Sequence, residues 1–122
     1  MALILAIEDH DDVLTLLATV LHQHQMLLAP DSTSGLRMAR EMKPDLVLLD
    51  VGMPDVDGLE VCRALRRAPD TATIPVLLVT ARSEVASAPD VWRSAGANGA
   101  LLKPFSPARL VALVDELLAQ PR

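Results

Sequence analysis

Leu3-Ile4-Leu5-Ala6-Ile7-Glu8-Asp9, near the start of the chain, sets five apolar residues before two carboxylates. A short unbroken apolar run reads as a strand buried on both faces, because a half-exposed strand alternates apolar with polar residues. The same form returns further along. Leu46-Val47-Leu48-Leu49 runs into Asp50, Val76-Leu77-Leu78-Val79 into Thr80, and Ala100-Leu101-Leu102 into Lys103. Each of these strands delivers a polar residue at its carboxyl end. Met26-Leu27-Leu28-Ala29, just before Pro30, predicts one more short strand.

Between the strands, apolar residues recur at helical spacing. Val13, Leu16, Leu17, Val20 and Leu21 share a face of a first helix, with Asp11 or Asp12 able to cap its start. Leu36, Met38, Ala39 and Met42 predict a second helix that stops before Pro44. Leu59, Cys62, Leu65 and Arg66 predict a third, and Val85, Ala88, Trp92 and Ala95 a fourth whose start is delayed because Pro89 fits only a first turn. Ser106 as N-cap and Pro107 at the first helical position open a fifth, with Leu110, Leu113, Val114, Leu117 and Leu118 toward the core. Five alternating strand and helix units predict an α/β fold, a parallel sheet covered on both faces by its crossover helices. Such sheets bind ligands at the carboxyl ends of their strands, where the polar residues above converge.

The length of 122 residues predicts one domain over 1–122, large enough for a single core. Aromatic residues make up only 2%, so that core must be aliphatic. No apolar run approaches the ~20 residues that cross a bilayer, and Met1 to Ile7 lacks the basic start of a signal peptide. The expectation is a cytoplasmic protein without membrane contact. Cys62 is the single cysteine and reads as a small buried apolar residue. A formal net charge of −5 disfavours direct nucleic-acid binding, whose phosphates need a basic surface.

Glu8, Asp9 and Asp50 fall at the ends of two central strands, and carboxylates so grouped repel one another unless a cation sits among them. A hard, all-oxygen donor set favours magnesium. Lys103 adds a compact positive charge and Thr80 a hydroxyl. A carboxylate nucleophile, a metal, an ammonium and a hydroxyl together form a place for a phosphoryl group. Asp11 and Asp12 read as helix-start charges. His10, His22 and His24 read as surface residues without metal-ligand spacing.

The order Glu8-Asp9, then Leu49-Asp50-Val51-Gly52-Met53-Pro54-Asp55-Val56-Asp57-Gly58, then Thr80-Ala81, then Lys103-Pro104-Phe105 resembles the receiver domain of bacterial response regulators, over essentially the whole chain. The resemblance implies a flavodoxin-like (βα)5 sandwich with strand order 2-1-3-4-5. It implies that Asp50 takes a phosphoryl group from a sensor histidine kinase or phosphotransfer protein and then changes the binding of a downstream protein. It further implies Mg2+ on Asp9, Asp50 and the Gly52 carbonyl, with Glu8 acting mostly through water. Thr80 and Lys103 would each bind a phosphoryl oxygen, across a cis Lys103–Pro104 bond. Such a chain catalyses its own phosphorylation and slow dephosphorylation and turns over no outside substrate; homodimerisation is left open.

Three features depart from that pattern. Receivers usually carry a tyrosine or phenylalanine three positions before the lysine, where Ala100 stands here. The stretch from Thr80 to Gly96 is one residue longer than the common spacing, and Pro89 interrupts it. Trp92 is the candidate to take over the missing aromatic motion, and Gly52 and Arg82 are candidates to tune how long the phosphoryl group lasts. Two rivals follow: a receiver-like scaffold that binds partners without phosphorylation, for which Ala100 speaks, and a phosphohydrolase or flavin-binding domain. Gly52 lacks the acid-base carboxylate of aspartate-based phosphatases, and the acidic turn Glu8 to Asp12 would repel a flavin phosphate.

Overall fold

A computed structural model describes residues 1–54 and 56–121, so Asp55 of the quoted motif and Arg122 lie outside the described residues. The strands β1 (Leu3–Ile7), β2 (Gln25–Ala29), β3 (Leu46–Leu49), β4 (Val76–Thr80) and β5 (Gly99–Leu102) form one parallel sheet in the order β2-β1-β3-β4-β5. The helices are α1 (Asp11–Val20), α2 (Ser32–Met42), α3 (Gly58–Arg67), α4 (Ser83–Ala86), α5 (Pro89–Ser94) and α6 (Pro107–Ala119).

Because successive strand side chains point to opposite faces, each strand feeds two cores. Leu5, Ile7, Val47, Leu49, Val76 and Leu78 pack with residues of α2, α3 and α5 on one face. Ile4, Ala6, Leu48, Leu77 and Val79 pack with Leu14, Leu17, Leu110, Val114 and Leu117 of α1 and α6 on the other. Burial on both faces explains why β1, β3 and β4 carry unbroken apolar runs. The edge strand β5 ends in the exposed Leu102.

Four expectations are corrected. The fourth helix is two short ones: α4 ends at Ala86, and Pro89 opens α5 at its first position, since an interior proline removes a helix hydrogen bond and clashes with the preceding turn. The cap position of α1 is His10, with Asp11 and Asp12 inside the first turn, where their charges favour the positive end of the helix dipole. The buried stripe of α1 therefore runs through Leu14, Leu17 and Leu21, and Leu16 is 45% exposed. Met42, at the end of α2, is exposed as well. The fifth predicted helix, α6, stands as read: Ser106 caps it by accepting from Arg109 N–H at 3.0 Å, and Leu110, Val114 and Leu117 are buried.

Arg66 reaches beyond its helix. Its guanidinium donates to the carbonyls of Gly96 (2.9 Å), Ala72 (3.1 Å) and Ile74 (2.6 Å) and to Asn98 Oδ1 (2.9 Å). One planar fork thus ties the end of α3 to the entry of β4 and the turn before β5. Gly96 adopts φ of 100°, and a Cβ there would come within 2.5 Å of Arg66 Cγ, so no other residue fits this turn without displacing the clamp.

Candidate phosphoacceptor site

The site is assembled by sheet register. Ile7 pairs with Leu49 across β1 and β3, so the residues that follow, Glu8 and Asp50, leave the sheet side by side. Asp50 N–H donates to the Ile7 carbonyl at 3.0 Å, and Glu8 N–H donates to the Ala29 carbonyl at 3.0 Å. Both side chains end up buried, 2% exposed for Glu8 and 5% for Asp50. Burial pushes the Glu8 carboxyl above its usual range; hydrogen bonds from Lys103 and His10 oppose the shift, and the adjacent Asp50 adds to it.

Lys103 arrives from the next strand pair, its N–H donating to the Thr80 carbonyl at 2.8 Å beyond β4 and β5. Its Nζ donates to Glu8 Oε1 and lies 3.6 Å from Asp50 Oδ2, so one ammonium faces both buried carboxylates. The Lys103–Pro104 peptide is cis, as the resemblance implies. Thr80 is fully buried, and its Oγ1 accepts from Arg82 N–H at 3.0 Å. A hydroxyl that accepts there keeps its own proton free to donate.

The turn after β3 closes over Asp50. Gly52 N–H donates to Asp50 Oδ1 at 2.9 Å, while Val51 and Met53 anchor the turn in the core. Asp57 caps α3 by accepting from Leu59 N–H at 3.0 Å. The glycine that follows is required by contact: a Cβ on Gly58 would lie 2.5 Å from Val51 Cα and 2.7 Å from the Asp50 carbonyl oxygen. The Asp57-Gly58 signature therefore serves to press the start of α3 against the backbone of the Asp50 turn.

Asp9 and His10 complete the cluster. Donor atoms of Glu8, Asp9, His10 and Asp50 all lie within 4.8 Å of one another. Asp9 Oδ1 is buried and accepts no hydrogen bond among the described residues, although His10 Nδ1 lies 3.2 Å away. A carboxylate oxygen without a donor is costly to bury and suits a cation. Three carboxylates against one ammonium leave an excess that a divalent ion would balance, so the residues fit the hard cation the sequence predicts. His10 was not among the predicted site residues, yet its Nδ1 is 3.1 Å from Glu8 Oε2, and this bond and the neighbouring carboxylates raise its pKa. Nothing in its spacing marks it; the sharp turn from β1 into α1 swings it back over Glu8.

The flank around β5 is different. Ser83, Ala86, Ser87, Ala100 and Arg109 are among the residues lining a cavity of about 290 Å³ beside Ala100, where the aromatic residue of the resembled pattern is missing. Trp92 does not line this hollow and is buried in the cluster shared with α3. Its indole is covered by the Arg93 guanidinium at 4.9 Å, and its Nε1 is buried without a partner among the described residues. Arg82 points to solvent and pairs with Glu84 at 3.0 Å.

A five-stranded parallel sheet in this order, with buried carboxylates and a lysine at the carboxyl ends of its central strands, defines the class of two-component signalling receivers. The chain belongs to the response regulator receiver domain family, whose model matches residues 4–115. It is 34% identical to protein PilH of Pseudomonas aeruginosa over 122 residues, covering 98% of this chain and 99% of PilH. It is 37% identical to the transcriptional regulatory protein AfsQ1 of Streptomyces coelicolor, covering 94% of this chain but 50% of AfsQ1. Among solved structures it resembles the receiver domain of the sensor histidine kinase PA1611 of Pseudomonas aeruginosa, with a magnesium ion coordinated in its active-site cleft. The TM-score is 0.87, at 25% identity over 98% of both chains.

Proposed function

We propose that this receiver, spanning 1–122, is a phosphorylation-dependent switch in which Asp50 accepts a phosphoryl group from a sensor histidine kinase or phosphotransfer protein in the cytoplasm. The observation that carries the reading is the setting of Asp50, buried beside Glu8 with Lys103 Nζ at 3.6 Å. In the transfer, an Asp50 carboxylate oxygen forms a bond to phosphorus while the phosphorus–nitrogen bond of the donor phosphohistidine breaks. The imidazole leaves with the electron pair and takes up a proton.

Lys103 holds one transferred oxygen by its charge, and the free Thr80 proton donates to another. Asp9 and Asp50 would hold Mg2+, with the Gly52 carbonyl as a further ligand and Glu8 acting through water. When bound, the ion neutralises the carboxylates and the oxygens of the incoming group. The magnesium in the PA1611 receiver supports this assignment. Gly52 leaves no acid-base carboxylate two positions after Asp50, which supports a switch without turnover of outside substrates.

Intact-mass measurement after incubation with acetyl phosphate tests the reading. One added phosphoryl group is expected in the parent protein with magnesium, and none without magnesium or in Asp50→Asn. An adduct that forms equally in Asp50→Asn would overturn it.

A further inference from the structure

We infer that His24 is an acid-operated latch on the amino end of β1: it holds Ala2 while its imidazole is neutral and releases it when the ring takes a proton. The latch lies at the end of the sheet opposite the phosphoacceptor site and shares no residue with it.

The direction of one hydrogen bond carries the inference. Ala2 N–H donates to His24 Nδ1 at 3.0 Å, so that ring nitrogen must offer a lone pair. A neutral imidazole with its proton on Nε2 does so. An imidazolium carries a proton on both nitrogens and has no acceptor left. The other two histidines are placed differently. His22 Nδ1 stands 3.1 Å from the Thr19 carbonyl, to which it can only donate, and His10 lies among carboxylates that favour its protonated form. Among the described residues, His24 is therefore the histidine whose bond protonation removes.

That bond fixes the backbone where β1 begins. The Ala2 carbonyl accepts from Gln25 N–H at 2.9 Å, a rung between the starts of β1 and β2, and His24 N–H donates to the Leu21 carbonyl at 2.9 Å to close the turn out of α1. The next amide, Leu3 N–H, donates to Asp45 Oδ2 at 2.8 Å. Side chains from two neighbouring turns thus hold the first amides of the strand, and imidazole is the group that ordinarily titrates near neutral pH.

His24 is half-buried and has room to move. It lines a cavity of about 520 Å³ beside Ala2 and Leu117, and a second of about 50 Å³ beside Val111. The charged groups that face it are the Met1 amino group on the strand start, Asp45 before β3 and Asp115 of α6, which lines both cavities. The end of α1 and its turn contribute Val20, Leu21 and Gln23, and no charge. A cationic ring that has let go of Ala2 meets the two carboxylates, so release leaves its charge attracted and hydrated. Because β1 presents Glu8 and Asp9 at its far end, acid loosens this strand from the end away from the site.

Hydrogen exchange of the Gln25 amide in the full chain reads the latch, with protection corrected for the intrinsic pH dependence of exchange and compared at about pH 8 and about pH 5.5. The parent should lose protection roughly fivefold at the lower pH, the worth of one ordinary hydrogen bond. His24→Asn sets an amide oxygen near the former Nδ1 and does not titrate, so its protection should stay high and change by less than about twofold. His24→Ala should be low at both pH values. Nitrogen NMR spectra of the ring supply a second readout: at the higher pH, Nε2 should carry the proton and Nδ1 none. A proton on Nδ1 at that pH, protection in the parent that does not fall, or a fall that persists in either variant overturns the inference.

Discussion

The carboxyl ends of β1 and β3 differ sharply from the flank formed by α4, α5 and β5. At the first, Glu8 and Asp50 are buried facing Lys103 and held by backbone contacts that leave little freedom: Asp50 to Ile7, Glu8 to Ala29, Gly58 against Val51. At the second, one helix is broken in two, an alanine faces a hollow, and Arg82 points into water. In receivers, chemistry and output are separable demands. Here the carboxyl ends of β1 and β3 bring Glu8 and Asp50 together with Lys103, while the flank is built differently from the resembled pattern.

Substitutions should therefore act strongly at one place and weakly at the other. The largest effect is total: Asp50→Asn should take up no phosphoryl group in mass spectra under conditions in which Ala100→Phe and Arg82→Ala are labelled. Next is Gly58→Ala, expected to cost about 3 kcal/mol in urea unfolding, because the added methyl meets backbone that cannot yield without moving the Asp50 turn. A cost below about 1 kcal/mol would show that turn to be as adaptable as the flank.

Magnesium should raise stability by about 2.7 kcal/mol at a hundred times its dissociation constant, measured as a shift of the urea midpoint. Its effect should grow with pH. The Glu8 pKa is raised on folding, so its contribution to stability is fully present below the usual carboxylate value of 4.5 and is lost as pH rises through the folded value. A cation among the carboxylates favours their charged forms and should flatten that loss. A metal-free midpoint that rises with pH across this window would contradict the assignment.

At the flank, Ala100→Phe should change stability by less than about 1 kcal/mol, since the hollow of about 290 Å³ has room for a ring. A large loss would mean that the hollow is held open by strain. Smallest is Arg82→Ala, which should alter phosphoryl decay by no more than about threefold, because an exposed pair such as Arg82 with Glu84 is worth little.

Much of this was legible in the sequence, for reasons that differ along the chain. The sheet could be read because β1, β3 and β4 are buried on both faces and carry unbroken aliphatic runs, each ending at a polar residue. Glu8, Asp50 and Lys103 could be placed from those endings, and the structure brings them together. Leu16 was misassigned because the helical period fixes a stripe but not its centre, which depends on where α1 leaves β1. His10 was passed over because its bond to Glu8 depends on a turn rather than a spacing. Arg66 fitted the α3 period, but its reach to Gly96, Ile74 and Asn98 joins segments that only the fold makes neighbours.

The in-register ends of β1 and β3 also bear on how the chain reaches its native state. Glu8 and Asp50 are far apart in sequence and meet only when these two central strands pair, so their repulsion is absent from the unfolded chain and appears with that one event. A divalent ion can relieve it only from that moment on. If magnesium accelerates refolding, the β1–β3 pair is formed in the transition state; if it only slows unfolding, the pair forms afterwards. The proposed switch site would thus double as a clock for the central step of folding, one that can be consulted without altering a single residue.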